Sequence, residues 1–137
     1  MVAMTIEQEG DMSMPYELTV KEKAGYLYVT VTGDNTKDTV LRYLSDVYAA
    51  CAERKCPVVL IEENLAGPPL GVFDIYEVVG KASQSVYPTI RRIAFVDMNP
   101  EHNVGTMKFA EDVATNLGVK VRVFSDLLDA EKWLGGA

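Results

Sequence analysis

The sequence predicts an α/β fold in the order ββαβαβαβα: a mainly parallel sheet with an N-terminal antiparallel hairpin strand and four helices. Three observations lead to this fold class. Two β-branched and aromatic segments follow one another across a short turn, and later apolar segments alternate with stretches of helical periodicity. The composition of 137 residues, 48% apolar and 24% charged, is that of one globular domain. Strands alternating with helices indicate parallel strands joined by right-handed crossovers.

The first two strands are predicted at residues 16–23 and 26–33, with Ala24 and Gly25 as the turn of an antiparallel hairpin. Residues 1–14 contain three acids, no Lys or Arg and no apolar run. We therefore expect no secretory signal here, because such a signal needs a basic start and an apolar core. We expect a disordered tail over residues 1–14 and a single domain over residues 15–135.

The first helix is predicted at residues 36–54, because Val40, Leu44, Val47 and Cys51 recur at spacings of four, three and four. Thr36 is the expected N-cap, since its hydroxyl can accept a hydrogen bond from the first turn.

The remaining elements follow from apolar runs and from Pro and Gly as boundary signals. Strands are predicted at residues 57–62, 90–96 and 119–124, helices at 71–87, 99–117 and 126–134, and a loop at 64–70.

Charge and composition exclude several function classes. Twenty acids and 13 bases give a net charge of −7, which disfavours nucleic acid and anionic membrane surfaces as partners. No apolar stretch reaches the roughly 18 residues that a membrane span needs. Two cysteines and a single histidine do not supply a structural zinc site. Without a signal peptide we expect a cytoplasmic protein with reduced thiols.

The element order and the closing segment FSDLLDAEKWL, residues 124–134, resemble the STAS-like domains, relatives of the sporulation anti-sigma-factor antagonists. In particular they resemble the bacterial branch grouped with both the STAS and the CRAL-TRIO lipid-transfer folds. The resemblance covers residues 16–134 and implies a STAS-like fold and a role in binding a protein partner.

One departure from that family concerns its phosphorylation site. STAS antagonists carry a phosphorylatable serine in a D-S-[ST]-G turn before the helix that follows the third strand. The corresponding residues 66–72 read AGPPLGV, and no Ser or Thr occurs from Glu62 to Gly80. We therefore predict that this chain lacks the phosphorylation switch.

Acidic residues follow the strands whose carboxyl ends should meet at one edge of the sheet. They are Asp34, Glu62, Glu63, Asp97 and Asp126. Clustered carboxylates are ligands for divalent cations, but acids at strand-to-helix junctions also serve as helix caps. We predict caps, with no metal and no cofactor, and keep a metal site as the alternative. No phosphate-binding glycine loop accompanies these acids.

Single side chains offer little sign of catalysis. His102 is predicted as a surface or capping residue, because its neighbours on a helix cannot face it. Cys51 is expected in the core. Cys56 has Arg54 and Lys55 nearby, which would favour a thiolate, but no base accompanies it, and we predict an unreactive thiol.

The helix at residues 71–87 is apolar over an arc of about 220°, wider than one sheet face needs. We expect its inner flank near Val72, Ile75, Val79 and Val86, and its outer flank near Phe73. Either a neighbouring helix covers the outer flank or a partner binds there. The preceding loop is apolar and stiffened by two prolines. The candidate binding residues are Leu65, Pro68, Pro69, Leu70, Phe73 and Tyr76.

Three functions remain open from the sequence. The first is a non-enzymatic STAS-like module that binds a protein partner or a second copy of itself. The second is a small-molecule or lipid carrier with an apolar pocket beside the helix at residues 71–87. The third, a metal-assisted enzyme at the acidic edge, is disfavoured because no nucleophile–base pair is visible.

Overall fold

A computed structural model describes residues 3–7, 16–85, 90–102 and 104–135. Its six strands form one sheet in which spatial order equals chain order. The elements are β1 (Ala3–Glu7), β2 (Tyr16–Lys23), β3 (Tyr26–Asp34), α1 (Lys37–Arg54), β4 (Val58–Ala66), α2 (Val72–Ser85), β5 (Arg92–Asp97), α3 (Val104–Asn116), β6 (Val121–Phe124) and α4 (Leu127–Gly135).

The sheet is antiparallel at its N-terminal side and parallel elsewhere. β1 pairs with β2, and β2 with β3, in antiparallel fashion, while β3 to β6 are parallel. Gly25 forms the β2–β3 turn with φ of 88°, a conformation that glycine adopts without steric cost. The predicted α/β class and the hairpin followed by parallel strand–helix units are confirmed.

β1 corrects one prediction, because Ala3–Glu7 lies in the segment expected to be a tail. Its backbone pairs with residues 17–21 of β2. An exposed strand edge offers unpaired N–H and C=O groups to any extended segment, and composition alone does not reveal that opportunity. The rest of the expected tail, residues 1–2 and 8–14, lies outside the described residues.

Two apolar clusters lie on opposite faces of the sheet. The larger one joins alternate residues of β2, β3 and β4 to α1 and α2, and the smaller one joins β4 and β5 to α4. α3 lies beside α2. Together with α1, these two helices line a cavity against the face of the sheet that carries the larger cluster. α1, α2 and α3 are called the three-helix layer below.

α1 has the predicted start and the predicted buried stripe. The Thr36 hydroxyl accepts from the Thr39 backbone N–H at 3.1 Å, and Val40, Val47 and Cys51 are buried. Lys55 ends the helix in the left-handed conformation, with φ of 53°.

Two element boundaries differ from the prediction for identifiable reasons. β4 continues through residues 64–66, predicted as loop, because it pairs with β3 as far as Asp34 and Ala66. α3 begins at Val104 rather than at residue 99. Before it, the Asn99 side chain accepts from the Glu101 backbone N–H at 2.8 Å in a turn that delays the helix.

No helix in the described part of the chain is both long enough and apolar enough to cross a membrane.

Candidate functional site

β4 places two consecutive glutamates on opposite faces of the sheet, as strand geometry requires. Glu62 accepts a hydrogen bond from the Tyr28 hydroxyl on the α4 side. Glu63 lies beneath the three-helix layer, 5% exposed, and accepts a hydrogen bond from the Tyr43 hydroxyl of α1. The sequence thus presents one acid to each face, and only Glu63 is fully buried.

Asp97, the last residue of β5, pairs with His102 from the turn before α3. His102 Nδ1 lies 2.6 Å from Asp97 Oδ2, and the two side chains are 3% and 6% exposed, respectively. On the other side of the ring, Nε2 lies 2.9 Å from the Gly67 carbonyl oxygen. His102 therefore bridges the end of β5 to the loop that follows β4.

The prediction of a surface or capping role for His102 is wrong. Its adjacent residues are not its partners, because the acid that it contacts lies five residues earlier at a strand end. The segment DMNPEH, residues 97–102, holds the signal that was missed. An acid at the end of a buried strand, followed by an Asn-Pro turn, brings the later histidine back over the strand terminus.

Burial and these contacts raise the pKa values of Glu63, Tyr43 and His102. Burial raises the pKa of Glu63 to about 7, even though the Tyr43 hydrogen bond works in the opposite direction. Burial and the adjacent Glu63 hold the pKa of Tyr43 well above its usual value. For His102, burial by itself lowers the pKa, but hydrogen bonds to Asp97 and to the Gly67 carbonyl outweigh it and the net shift is upward.

A cavity of about 150 Å³ lies between the three-helix layer and the sheet, and Glu63, Asp97 and His102 form part of its wall. Its lining is largely apolar. Side chains of α2, α3 and the sheet contribute Ile75, Val78, Met107, Ile61, Phe95 and Val121. Asn35, Tyr43, Glu63, Asp97 and His102 also line it. Apolar walls with a few polar groups are typical of small-molecule sites.

The structure brings together two of the five acids considered as alternative metal ligands. Glu63, Asp97 and His102 each offer a ligand atom, all within 4.8 Å of one another, and this set could hold a cation. However, both His102 ring nitrogens already lie against acceptors. Glu62 faces the opposite side of the sheet, where Tyr28 donates to it.

The other two acids stand apart from this cluster. Asp126 accepts from the Asp129 backbone N–H at 2.9 Å, as a cap of α4 does. Asp34 is exposed at the end of β3.

The candidate binding residues divide into three groups. Leu65 is fully buried, so its assignment to an accessible surface is wrong: it is a late β4 residue that points into the core. Pro69 and Leu70 are half-buried and line the cavity. Pro68 is exposed, and its carbonyl oxygen accepts from the Asn35 side chain at 2.8 Å.

Phe73 and Tyr76 lie on the outer face of α2. Phe73 is 88% exposed and Tyr76 is 54% exposed. The Tyr76 ring contacts Phe109 of α3 edge-on, with centroids 5.3 Å apart. Val72, predicted on the inner flank, is 57% exposed, because it lies one helical turn before Tyr76 on the same outer face. Val86 lies outside the described residues.

The two cysteines are free thiols. Cys51 is buried in the core as expected, and burial together with the nearby Cys56 raises its pKa to about 12. Cys56 is half-buried, and its thiol donates to the Val58 carbonyl oxygen at 3.3 Å.

Comparison with known proteins identifies the fold. No protein-family model and no curated protein matches the sequence. The structure is similar to the crystal structure of an anti-sigma factor antagonist from Mycobacterium paratuberculosis, with a TM-score of 0.56 and 13% identity. The match covers 88% of this chain and 94% of that chain. The expected STAS-like fold is confirmed, and at this identity the likeness concerns the fold.

Proposed function

We propose that this chain is a non-enzymatic regulatory binding module of the cytoplasm that engages a protein partner through the start of α2. The observation that carries this proposal is the exposure of Val72, Phe73 and Tyr76, which share one helix face at spacings of three and four residues. We call these three residues the α2 patch. Aromatic side chains are enriched in the centres of protein interfaces.

The similarity to an anti-sigma factor antagonist supports a protein as the partner, since that class of protein is named for acting on another protein. The residues that lead into α2 contain no Ser or Thr. Recognition in our proposal therefore depends on the shape and apolarity of the α2 patch, and not on phosphorylation of this turn.

The test compares three forms of the protein. Native protein, Phe73→Ser and the control Leu128→Ser are analysed by light scattering and used as bait for partner capture. Leu128 is 62% exposed on α4, on the opposite side of the sheet, so it controls for the loss of one exposed apolar side chain. We expect Phe73→Ser to lose association and Leu128→Ser to keep it. Equal behaviour of both variants would contradict the proposal.

A second candidate function, a small-molecule or lipid carrier, is favoured by the cavity beneath α2. Its apolar walls and its few polar groups are those of a ligand site. Solvent extraction of freshly purified protein, followed by mass spectrometry, tests it. A carrier should release a compound in stoichiometric amount, and an extract without one would count against this candidate.

A further inference from the structure

The ionisable side chains that line the cavity under α2 are mostly acidic. Among its lining residues, three are acids, Glu63, Asp97 and Glu111, while His102 is the one basic side chain. Asp97 is paired with His102, and Glu111 forms an ion pair with Lys108. Glu63 receives its hydrogen bond from Tyr43, a neutral group. Two carboxylates thus share one imidazole at this end of the cavity.

The size of the cavity suits a small apolar group. A volume of about 150 Å³ equals that of a known apolar cavity in another protein that binds benzene. An apolar body about the size of one aromatic ring therefore fits inside it.

We propose that the cavity binds a small primary amine with an aromatic or branched apolar body, whose ammonium group lies against the Glu63 carboxylate. The inference rests on the second candidate function, a small-molecule carrier, and names its ligand class. An ammonium group donates up to three hydrogen bonds and supplies the positive charge that Glu63 lacks. Burying a carboxylate with an opposite charge avoids the cost of burying it ionised and alone.

The same cluster disfavours an anionic ligand. Carboxylate oxygens of Glu63 and Asp97 lie within 4.8 Å of each other, and a ligand carboxylate beside them would add a third like charge that repels both. The proposal therefore excludes fatty acids and other acidic compounds as the natural cargo.

The experiment is a calorimetric titration with three probes of similar size: benzylamine, toluene and benzoate. It is carried out at about pH 8, where a carboxyl group with a pKa of about 7 is mostly ionised. We expect benzylamine to bind about tenfold more tightly than toluene, which corresponds to about 1.4 kcal/mol. Benzoate should not bind.

Two matched variants locate the effect. Glu63→Gln keeps an acceptor for the Tyr43 hydroxyl and removes the charge, so benzylamine should lose its advantage while toluene still binds. Glu62→Gln removes a carboxylate from the next position of β4, which faces α4, and should bind as the native protein does. Retained toluene binding also shows that the Glu63 variant is folded around an intact cavity.

The outcomes separate the ligand class from the carrier function. Equal binding of benzylamine and toluene by the native protein would overturn the amine and leave a small-molecule site. Preferred binding of benzoate would overturn the charge argument. Failure of all three probes would overturn the amine, whereas the carrier function is decided separately by the solvent extraction described above. If Glu63→Gln proves unfolded, the three-probe comparison on native protein alone decides the proposal.

Discussion

Glu63 is buried in the candidate site, and its protonation affects the stability of the fold. It is a charged residue type on a strand whose other side chains are mostly apolar, and its neighbour Tyr43 gives it one neutral hydrogen bond. Burial raises its pKa to about 7 from an ordinary value of 4.5. Between about pH 4.5 and about pH 7, Glu63 therefore keeps a proton in the folded chain that it has released in the unfolded chain.

We predict that the native protein loses stability as pH rises from about 4.5 to about 7, because the folded state binds more protons than the unfolded state there. The slope contributed by one such group is at most about 1.4 kcal/mol per pH unit. Denaturant melts at several pH values should show a flatter profile for Glu63→Gln. An unchanged slope in that variant would contradict the raised pKa of Glu63.

His102 contributes to the same profile with the same sign. Its folded-state pKa is raised, so the stability it provides is complete below about 6.5 and is lost as pH rises through the folded value. We expect Glu63→Gln to retain a residual slope near neutral pH, and His102→Gln in the Glu63→Gln background to remove it. If the residual slope remained in the doubly substituted protein, another titratable group would be its source and not His102.

For the cysteines we predict two free thiols with different reactivity. Alkylation in denaturant, followed by mass measurement, should label both, because neither is in a disulfide. In the native protein Cys51 should react far more slowly than Cys56, since burial keeps Cys51 protonated and inaccessible. Fewer than two labels in freshly purified, denatured protein would contradict the first part. Equal native rates would contradict the second.

At the scale of single elements, α2 has two apolar faces with different roles. Ile75 and Val78 are buried and line the cavity, whereas the α2 patch is exposed. Helical periodicity predicted the wide apolar arc and correctly placed Ile75 on its inner flank and Phe73 on its outer flank, but it placed Val72 inside although that side chain is 57% exposed. The direction of a helix face depends on where the chain leaves the preceding strand, and β4 is three residues longer than its apolar run indicated.

We predict that Phe73→Ala changes the free energy of unfolding by no more than about 0.5 kcal/mol, because an 88% exposed side chain loses little burial. Ile75→Ala, the matched change on the buried face, should cost about 2–5 kcal/mol. Denaturant melts of both variants provide the measurement. A loss of several kcal/mol in Phe73→Ala would mean that Phe73 is covered within the chain, and the proposed partner site would lose its main support.

Most helices and strands could be predicted from local patterns. β2 has the predicted bounds, and α1 begins after the predicted cap, because hairpin turns and N-caps are determined by a few adjacent residues. The β1 strand could not be predicted from its own residues, since it depends on pairing with the edge of β2. The delayed start of α3 depends on an Asn99 side chain that bonds its own turn, which the helical pattern did not show.

At the scale of the whole molecule, the carboxyl ends of the parallel strands lie at one edge of the sheet, and the candidate site forms at that edge. The expectation of acids at this edge was useful, because Glu63 and Asp97 do meet. The sequence could not indicate which acids would meet, since Glu62 and Glu63 differ only in the face they take. The cavity depends on the packing of three helices, which no local pattern determines.

We predict that millimolar magnesium, calcium or manganese does not raise the melting temperature. Of the five acids considered, only Glu63 and Asp97 lie in one cluster, and the His102 nitrogens there already contact acceptors. A real site at a hundredfold excess over its dissociation constant would add about 2.7 kcal/mol, which is several degrees for a domain of this size. A rise that EDTA reverses would contradict the prediction and favour a metal site.

β4 is apolar on both faces, with residues 58–61 divided between the two clusters, and each face offers a tyrosine–glutamate pair. Such a strand does not, by its pattern alone, distinguish its native alignment from a slip of one residue, which would exchange Glu62 and Glu63 between faces.

The alignment is instead specified at the carboxyl end of the strand. The Asn99 side chain donates to the Leu65 carbonyl oxygen at 2.6 Å, and the Asn35 backbone N–H donates to the Ala66 carbonyl oxygen at 2.7 Å. The loops around the cavity thus also help to hold β4 in its native alignment. Redesign of these loops to change ligand preference would consequently produce misaligned, aggregation-prone chains unless both hydrogen bonds were preserved.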